Sequence, residues 1–270
     1  MGSLDVFLWC VLYVNSSEKP KLFQHMLESA IEKGIEHFLI MVVFSESIKT
    51  EEKIDIIEKL HITKELLEND KGIDFYIIEP NITNLKNRIY YIPNEDYNLF
   101  DCYEKMMNFV NNGLPTKESI IEISPVQPIM FMRDVDFFLP VPLNIDNSFI
   151  INKIPENLIL IGEQYVLNDG IEQELIDFEN KKVYTKNNFT RIVDLSGFIV
   201  PYGVIIEYYK TRDQYYSKYE KYPDINKKDI KYLEKVRFID FIQNHFGILP
   251  IIHSEEPFIF HRLGKYNYDI

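Results

Sequence analysis

With 270 residues, 46% of them hydrophobic and 26% charged, the chain is long and apolar enough to bury a large core, which excludes a disordered segment and favours one large domain. A formal net charge of -13 excludes a nucleic-acid groove or a binding face for anionic membranes, since both require a basic surface to displace counterions. Cys10 and Cys102 are too few for a disulfide framework, fit a reducing compartment, and read as packing residues.

The chain opens on the apolar run Leu4 to Val14, which carries Asp5, lacks a basic leader and is far shorter than the ~20 residues a bilayer needs, so a buried strand in a soluble, cytoplasmic protein is expected. Asn15-Ser16-Ser17-Glu18 follows, with Ser16 or Ser17 as N-cap, and Pro20 then sits in the first turn of a helix through about Lys33. Leu22, Met26, Leu27 and Ala30 share its inner face, and Gly34 ends it. Phe38 to Phe44 reads as a second buried strand, Lys49 to about Asn69 as a second helix, Asp74 to Glu79 as a third strand and Arg88 to Ile92 as a fourth. A helix from Leu99 to Asn111 comes next, with Phe100, Tyr103, Met107 and Val110 inward and Gly113 as its stop. This alternation predicts an α/β fold, a mainly parallel sheet flanked by helices.

Arg133-Asp134-Val135-Asp136 ends the apolar run Ile129 to Met132. In an extended segment alternate side chains share a face, so Asp134 and Asp136 are expected to converge while Val135 points into the core. Two such carboxylates at the carboxyl end of a buried strand suit a hard divalent cation, Mn2+ or Mg2+, at the place where ligands bind in open α/β sheets. Asn15 and Ser16 after the first strand and Glu46 after the second are expected beside a nucleotide base and ribose, although helix capping and turn formation explain the same residues.

The second half is less regular, a mixed α+β region. Leu158 to Gly162, Lys182 to Thr185, Gly197 to Tyr208 and Ile248 to His253 read as strands, with a long helix from about Asn226 to Asn244. Tyr208 to Tyr222, with six tyrosines among charges, reads as a loop or lid.

Three stretches resemble the GT-A glycosyltransferases, the galactosyltransferase type in particular. Asp96-Tyr97-Asn98-Leu99, a helix and Asp134-Val135-Asp136-Phe137-Phe138 are similar to that family's succession of an Asp-x-Tyr-x-Asn-Leu motif, a helix and an acidic cluster. Leu195-Ser196-Gly197-Phe198-Ile199-Val200 resembles its glycine-bearing acceptor segment, and Phe246-Gly247-Ile248-Leu249-Pro250 the segment after its catalytic helix. The resemblance implies one GT-A-like domain over 1–270, with a nucleotide-binding half to residue 140 and an acceptor-side half from 141. It implies transfer of a sugar from a nucleotide-diphosphate donor, a UDP-sugar, to a hydroxyl of a glycan or protein acceptor. Asp134, Asp136 and a late histidine, His253 or His261, become the implied metal ligands, while Arg133 and Gly197 join Asn15, Ser16 and Glu46 as substrate-binding candidates. Where the family has Glu-Asp-Val this chain reads Glu234-Lys235-Val236, so the base falls to Asp229 or Glu234, with Asp240 a further nearby carboxylate.

Three rival readings accompany this one. A GT-A-like binding or structural protein without catalysis would fit the Lys235 departure. Asp169 with Glu179-Asn180-Lys181 has the spacing of a metal-dependent nuclease, but the same residues suit a hairpin turn. A nucleotidyltransferase would need Gly-Ser shortly before its acidic pair, and here Gly2-Ser3 stands at the start of the chain.

Overall fold

The computed structural model describes residues 6–80, 99–115, 120–138, 159–161, 164–167, 189–192, 196–219, 238, 241, 251–253 and 259–260. Its centre is β1 (Phe7–Val14), in which every residue is buried. A strand covered on both faces loses the polar alternation of a surface strand, and Phe-Leu-Trp-Cys-Val-Leu-Tyr-Val has none. β1 pairs in parallel with β2 (His37–Phe44) on one side and with β6 (Pro128–Arg133) on the other, and β2 pairs in parallel with β3 (Asp74–Ile78). Two helices provide the crossovers, α1 (Lys19–Glu32) and α2 (Thr50–Lys71). Glu51 and Glu52 in the first turn of α2 complement its dipole, and Gly72, at φ 65°, closes it in the left-handed conformation.

The sheet continues beyond β6 with β11 (Phe198–Pro201), which runs antiparallel to its neighbours, and then β8 (Ile159–Ile161) and β12 (Ile251–His253). The full order is β12-β8-β11-β6-β1-β2-β3, a mixed and mostly parallel sheet. Beside it lie a four-stranded sheet, in which β7 (Phe137–Phe138) and β13 (Ile259–Phe260) join β9 (Gln164–Leu167) and β10 (Phe189–Ile192), and the short pair β4 (Leu114–Pro115) and β5 (Ile120–Ile121).

The period-two pleat splits the core into two layers. Leu8, Cys10, Leu12 and Val14 of β1 pack with Met130 and Met132 of β6 and with Phe23, Met26, Leu27 and Ala30 of α1. Phe7, Trp9, Val11 and Tyr13 face the opposite layer, which is built from α3 (Leu99–Asn111) and α4 (Tyr202–Tyr219). That layer is aromatic: Phe131 lies 4.4 Å from Tyr103 and 6.2 Å from Trp9, ring centre to ring centre. Arg212 of α4 ties the helices together by donating to Asp101 at 2.8 Å and Glu104 at 3.1 Å on α3.

The helices and parallel strands expected from periodicity up to Asn111 are present, the fourth strand apart. Arg88–Ile92, Lys182–Thr185 and most of the 226–244 helix lie outside the described residues. Phe238 and Phe241, one helical turn apart, are buried in the aromatic layer. Two expectations are corrected. Gly197 to Tyr208 is not one strand, because β11 stops at Pro201 and α4 starts at Tyr202. Tyr208 to Tyr219 is helix and not a loop or lid. Its aromatic density misled because Tyr208 serves as core, centred 4.9 Å from Phe238, while Tyr209 donates to the Phe100 carbonyl at 2.5 Å. Among the described residues no helix is long and apolar enough to cross a membrane.

This layer contains hydroxyls and a thiol whose ionisation the fold opposes. Burial, then Asp74 and Glu68, pushes Tyr76 from its ordinary 10.0 to about 12. Burial pushes Cys102 from 9.0 to about 12 and raises Tyr202 as well. Neutral forms favoured by the folded state add stability that is complete below the unfolded values and fades as pH climbs through the folded ones. Denaturant unfolding at constant ionic strength should therefore show stability falling from about pH 9 towards 12, with tyrosinate absorbance rising together with unfolding and not before it. Tyrosinate appearing in the intact fold near its ordinary pH would contradict this packing.

Candidate functional site

The chain runs from β1 outward through β2 to β3, then returns to the other side of β1 as β6, so strand order reverses between β1 and β6. At such a switch point the loops after the two strands diverge and leave a crevice at their carboxyl ends. Five expected residues gather here. Asn15 and Ser16, half-buried, follow β1, and Arg133 ends β6 with Asp134 next. Glu46 follows β2 and lies close enough to Tyr13 to help raise its pKa, after the larger effect of burial.

The acidic pair is arranged differently from expectation. β6 stops at Arg133, and Asp134-Val135 forms a turn in which the Asp136 amide donates to the Arg133 carbonyl at 3.3 Å. Asp134 and Asp136 are both fully buried. The Lys19 ammonium donates to both oxygens of Asp134 at 3.2 Å, and the Tyr13 amide donates to one of them at 3.0 Å. Lys19 is itself fully buried at the start of α1. Burial lowers its pKa and Asp134 opposes that shift. The same two carboxylates, after burial itself, help to raise Cys10, whereas Lys19 lowers it.

A hard divalent ion wants about six oxygen ligands with carboxylates among them. Here an ammonium and a backbone amide already share the Asp134 carboxylate, and among the described residues no three His, Cys, Asp or Glu side chains are grouped to hold a metal.

Other groups pin the rim. Ser196 accepts from the Arg133 amide at 3.2 Å, and Gly197, at φ 79°, donates its amide to the Phe131 carbonyl at 2.7 Å. Gly197 thus turns the chain into β11. Ser29 of α1 accepts from the Phe138 amide at 3.0 Å, and the His25 ring stacks on Phe137 at 5.3 Å, which fastens the segment after the turn to α1. The N-cap of α1 is Glu18 and makes no side-chain cap bond, so neither Ser16 nor Ser17 caps the helix as expected. His253 closes β12, three strands from β6 and at the same edge, roughly 14 Å from Phe131 along the row of paired residues at ordinary strand spacing. Asp229, Glu234, Asp240 and His261, together with Asp169, Glu179 and Lys181 of the nuclease pattern, lie outside the described residues.

Sequence reasoning missed Lys19, the cation paired with Asp134. The signal was its spacing: Lys19, Leu22, Phe23, Met26 and Ala30 form one i, i+3, i+4 stripe, so a cation occupied the first place on a buried face. No protein-family model matches the chain, and a search of curated proteins finds no match.

Breaking a buried pair from one side leaves the other charge unpaired. Asp134→Asn or Lys19→Met should each destabilise the fold by about 3–5 kcal/mol, whereas the double variant Lys19→Met with Asp134→Leu should lose much less than the sum. Urea unfolding of the four proteins checks this, and additive losses would show that the two side chains do not interact.

Proposed function

We propose that the crevice between β1 and β6 binds a nucleotide-diphosphate sugar and that the chain is a GT-A-like glycosyltransferase, moving the sugar to a hydroxyl of a glycan or protein acceptor. The observation that carries this reading is the reversal of strand order at β1 and β6, with Arg133 and the acidic turn at the carboxyl end of β6 and the start of α1 opposite. Breaking a sugar-phosphate bond creates a diphosphate whose growing charge requires fixed positive groups. Arg133, at the carboxyl end of β6, would supply that character in this reading. In this reading Asn15, Ser16 and Glu46 would meet the nucleoside. The base, Asp229 or Glu234 in this reading, would accept the proton of the attacking hydroxyl.

A second reading has an observation of its own. Asp134 is fully engaged within the protein, which favours a nucleotide-sugar-binding protein that performs no transfer. Release of UDP from UDP-sugar in the presence of mixed glycan acceptors separates the two.

Melting should be measured against UDP- and GDP-sugars, each with and without Mn2+ or Mg2+. A donor at one hundred times its dissociation constant adds about 2.7 kcal/mol, or roughly 5–10 °C for a chain of this size. Arg133→Ala should remove most of that rise. A melting temperature indifferent to every nucleotide would sink both readings.

A further inference from the structure

We infer that the start of α2 binds a phosphate group, as the free ion or as a small phosphomonoester, through Lys53 and the free amides of the first helical turn. The inference stands apart from the nucleotide reading of the β1–β6 crevice.

Lys53 takes the first place on the buried stripe of α2, ahead of Ile56, Ile57 and Leu60, as Lys19 does on α1. The two lysines differ in what they meet. Lys19 is paired with Asp134, whereas Lys53, only 6% exposed, contacts no carboxylate or other hydrogen-bond acceptor among the described residues, and its ammonium lies 5.8 Å from the centre of the Phe44 ring. A ring face offsets only part of the cost of burying a charge, so a demand for an anion is left unmet. Helical side chains lean towards the N-terminus, and Phe44 ends β2 just before the loop 45–49 that feeds α2, so the ammonium overlooks the start of the helix.

That start is open. Lys49, the N-cap, makes no side-chain cap bond, and the first amide of the helix to find an acceptor is that of Lys53, which donates to the Lys49 carbonyl at 3.0 Å. The amides of Thr50, Glu51 and Glu52 have no partner among the described residues, unlike those of Lys19 and Lys21 in α1, which donate to the Ser16 and Glu18 carbonyls. The loop ahead is fixed, with the Ser45 and Ser47 hydroxyls 2.9 Å apart and the Ile48 amide donating to the Ser45 carbonyl at 3.2 Å. Free amides, the positive end of a 22-residue helix and an ammonium without a counter-charge suit an oxyanion. Glu51 and Glu52 share the turn, but successive helical side chains diverge by about 100°, which sends Glu51 to the exposed surface and Glu52 to the groove between α1 and α2.

The wild-type chain is titrated with inorganic phosphate, and separately with glycerol phosphate, at constant ionic strength with chloride as control, and followed by its backbone amide resonances. The amides of Thr50, Glu51 and Glu52 should shift saturably with phosphate and not with chloride, and tighter binding of glycerol phosphate would identify a phosphomonoester as the ligand. Lys53→Met should weaken the titration about tenfold or more, while its melting without phosphate stays at or above wild type because an uncompensated charge has gone. Amides that ignore phosphate, or that answer chloride equally, would overturn the inference with no variant needed. A Lys53→Met titration equal to wild type would overturn it as well, and so would a fall in melting, which would show that the fold already satisfies the ammonium.

Discussion

The ion pair between Lys19 and Asp134 joins three parts of the chain that sequence keeps far apart: the end of β1 through the Tyr13 amide, the start of α1, and the turn after β6. Burying two charges is costly, and what compensates here is geometry, since one ammonium reaches both oxygens and an amide takes a third contact. The position of β6 beside β1 also rests on their parallel ladder, and the ion pair helps to fix how the chain leaves β6. From it follow the turn at Asp134-Val135, the direction of Asp136 and the docking of Phe137 and Phe138 on α1, where Ser29 and His25 hold them.

Much of the fold could be read from the chain because its first half obeys simple periods. β1 and β2 are continuous apolar runs, as strands buried on both faces must be, and the inner faces of α1 and α3 repeat at helical spacing. The second half resisted for a physical reason. Phe198–Pro201 and Tyr202–Tyr219 join without an intervening loop, so no turn signal marks the change of period, and Tyr208 and Tyr209 have polar tips that disguise core positions. The site was legible in its address and not in its chemistry. Asp134, Arg133, Asn15 and Ser16 were placed at the correct edge, but Asp-x-Asp was read as strand, and pairing by a residue 115 positions away leaves no local trace. Only the place of Lys19 on an apolar stripe hinted at it.

β1 also illustrates a burden of this topology. Its partner on one side, β6, lies far along the chain, with Tyr13 and Asp134 separated by 121 residues. A ribosome adding about 5–20 residues each second needs roughly 6–25 s to cover that interval. Throughout it the most apolar strand of the protein has an unclaimed hydrogen-bonding edge, the surface on which chains stick to one another. Newly made copies therefore face their greatest danger of clumping before residue 133 emerges, and a chaperone able to shelter that edge would matter more to yield than any single contact in the finished fold.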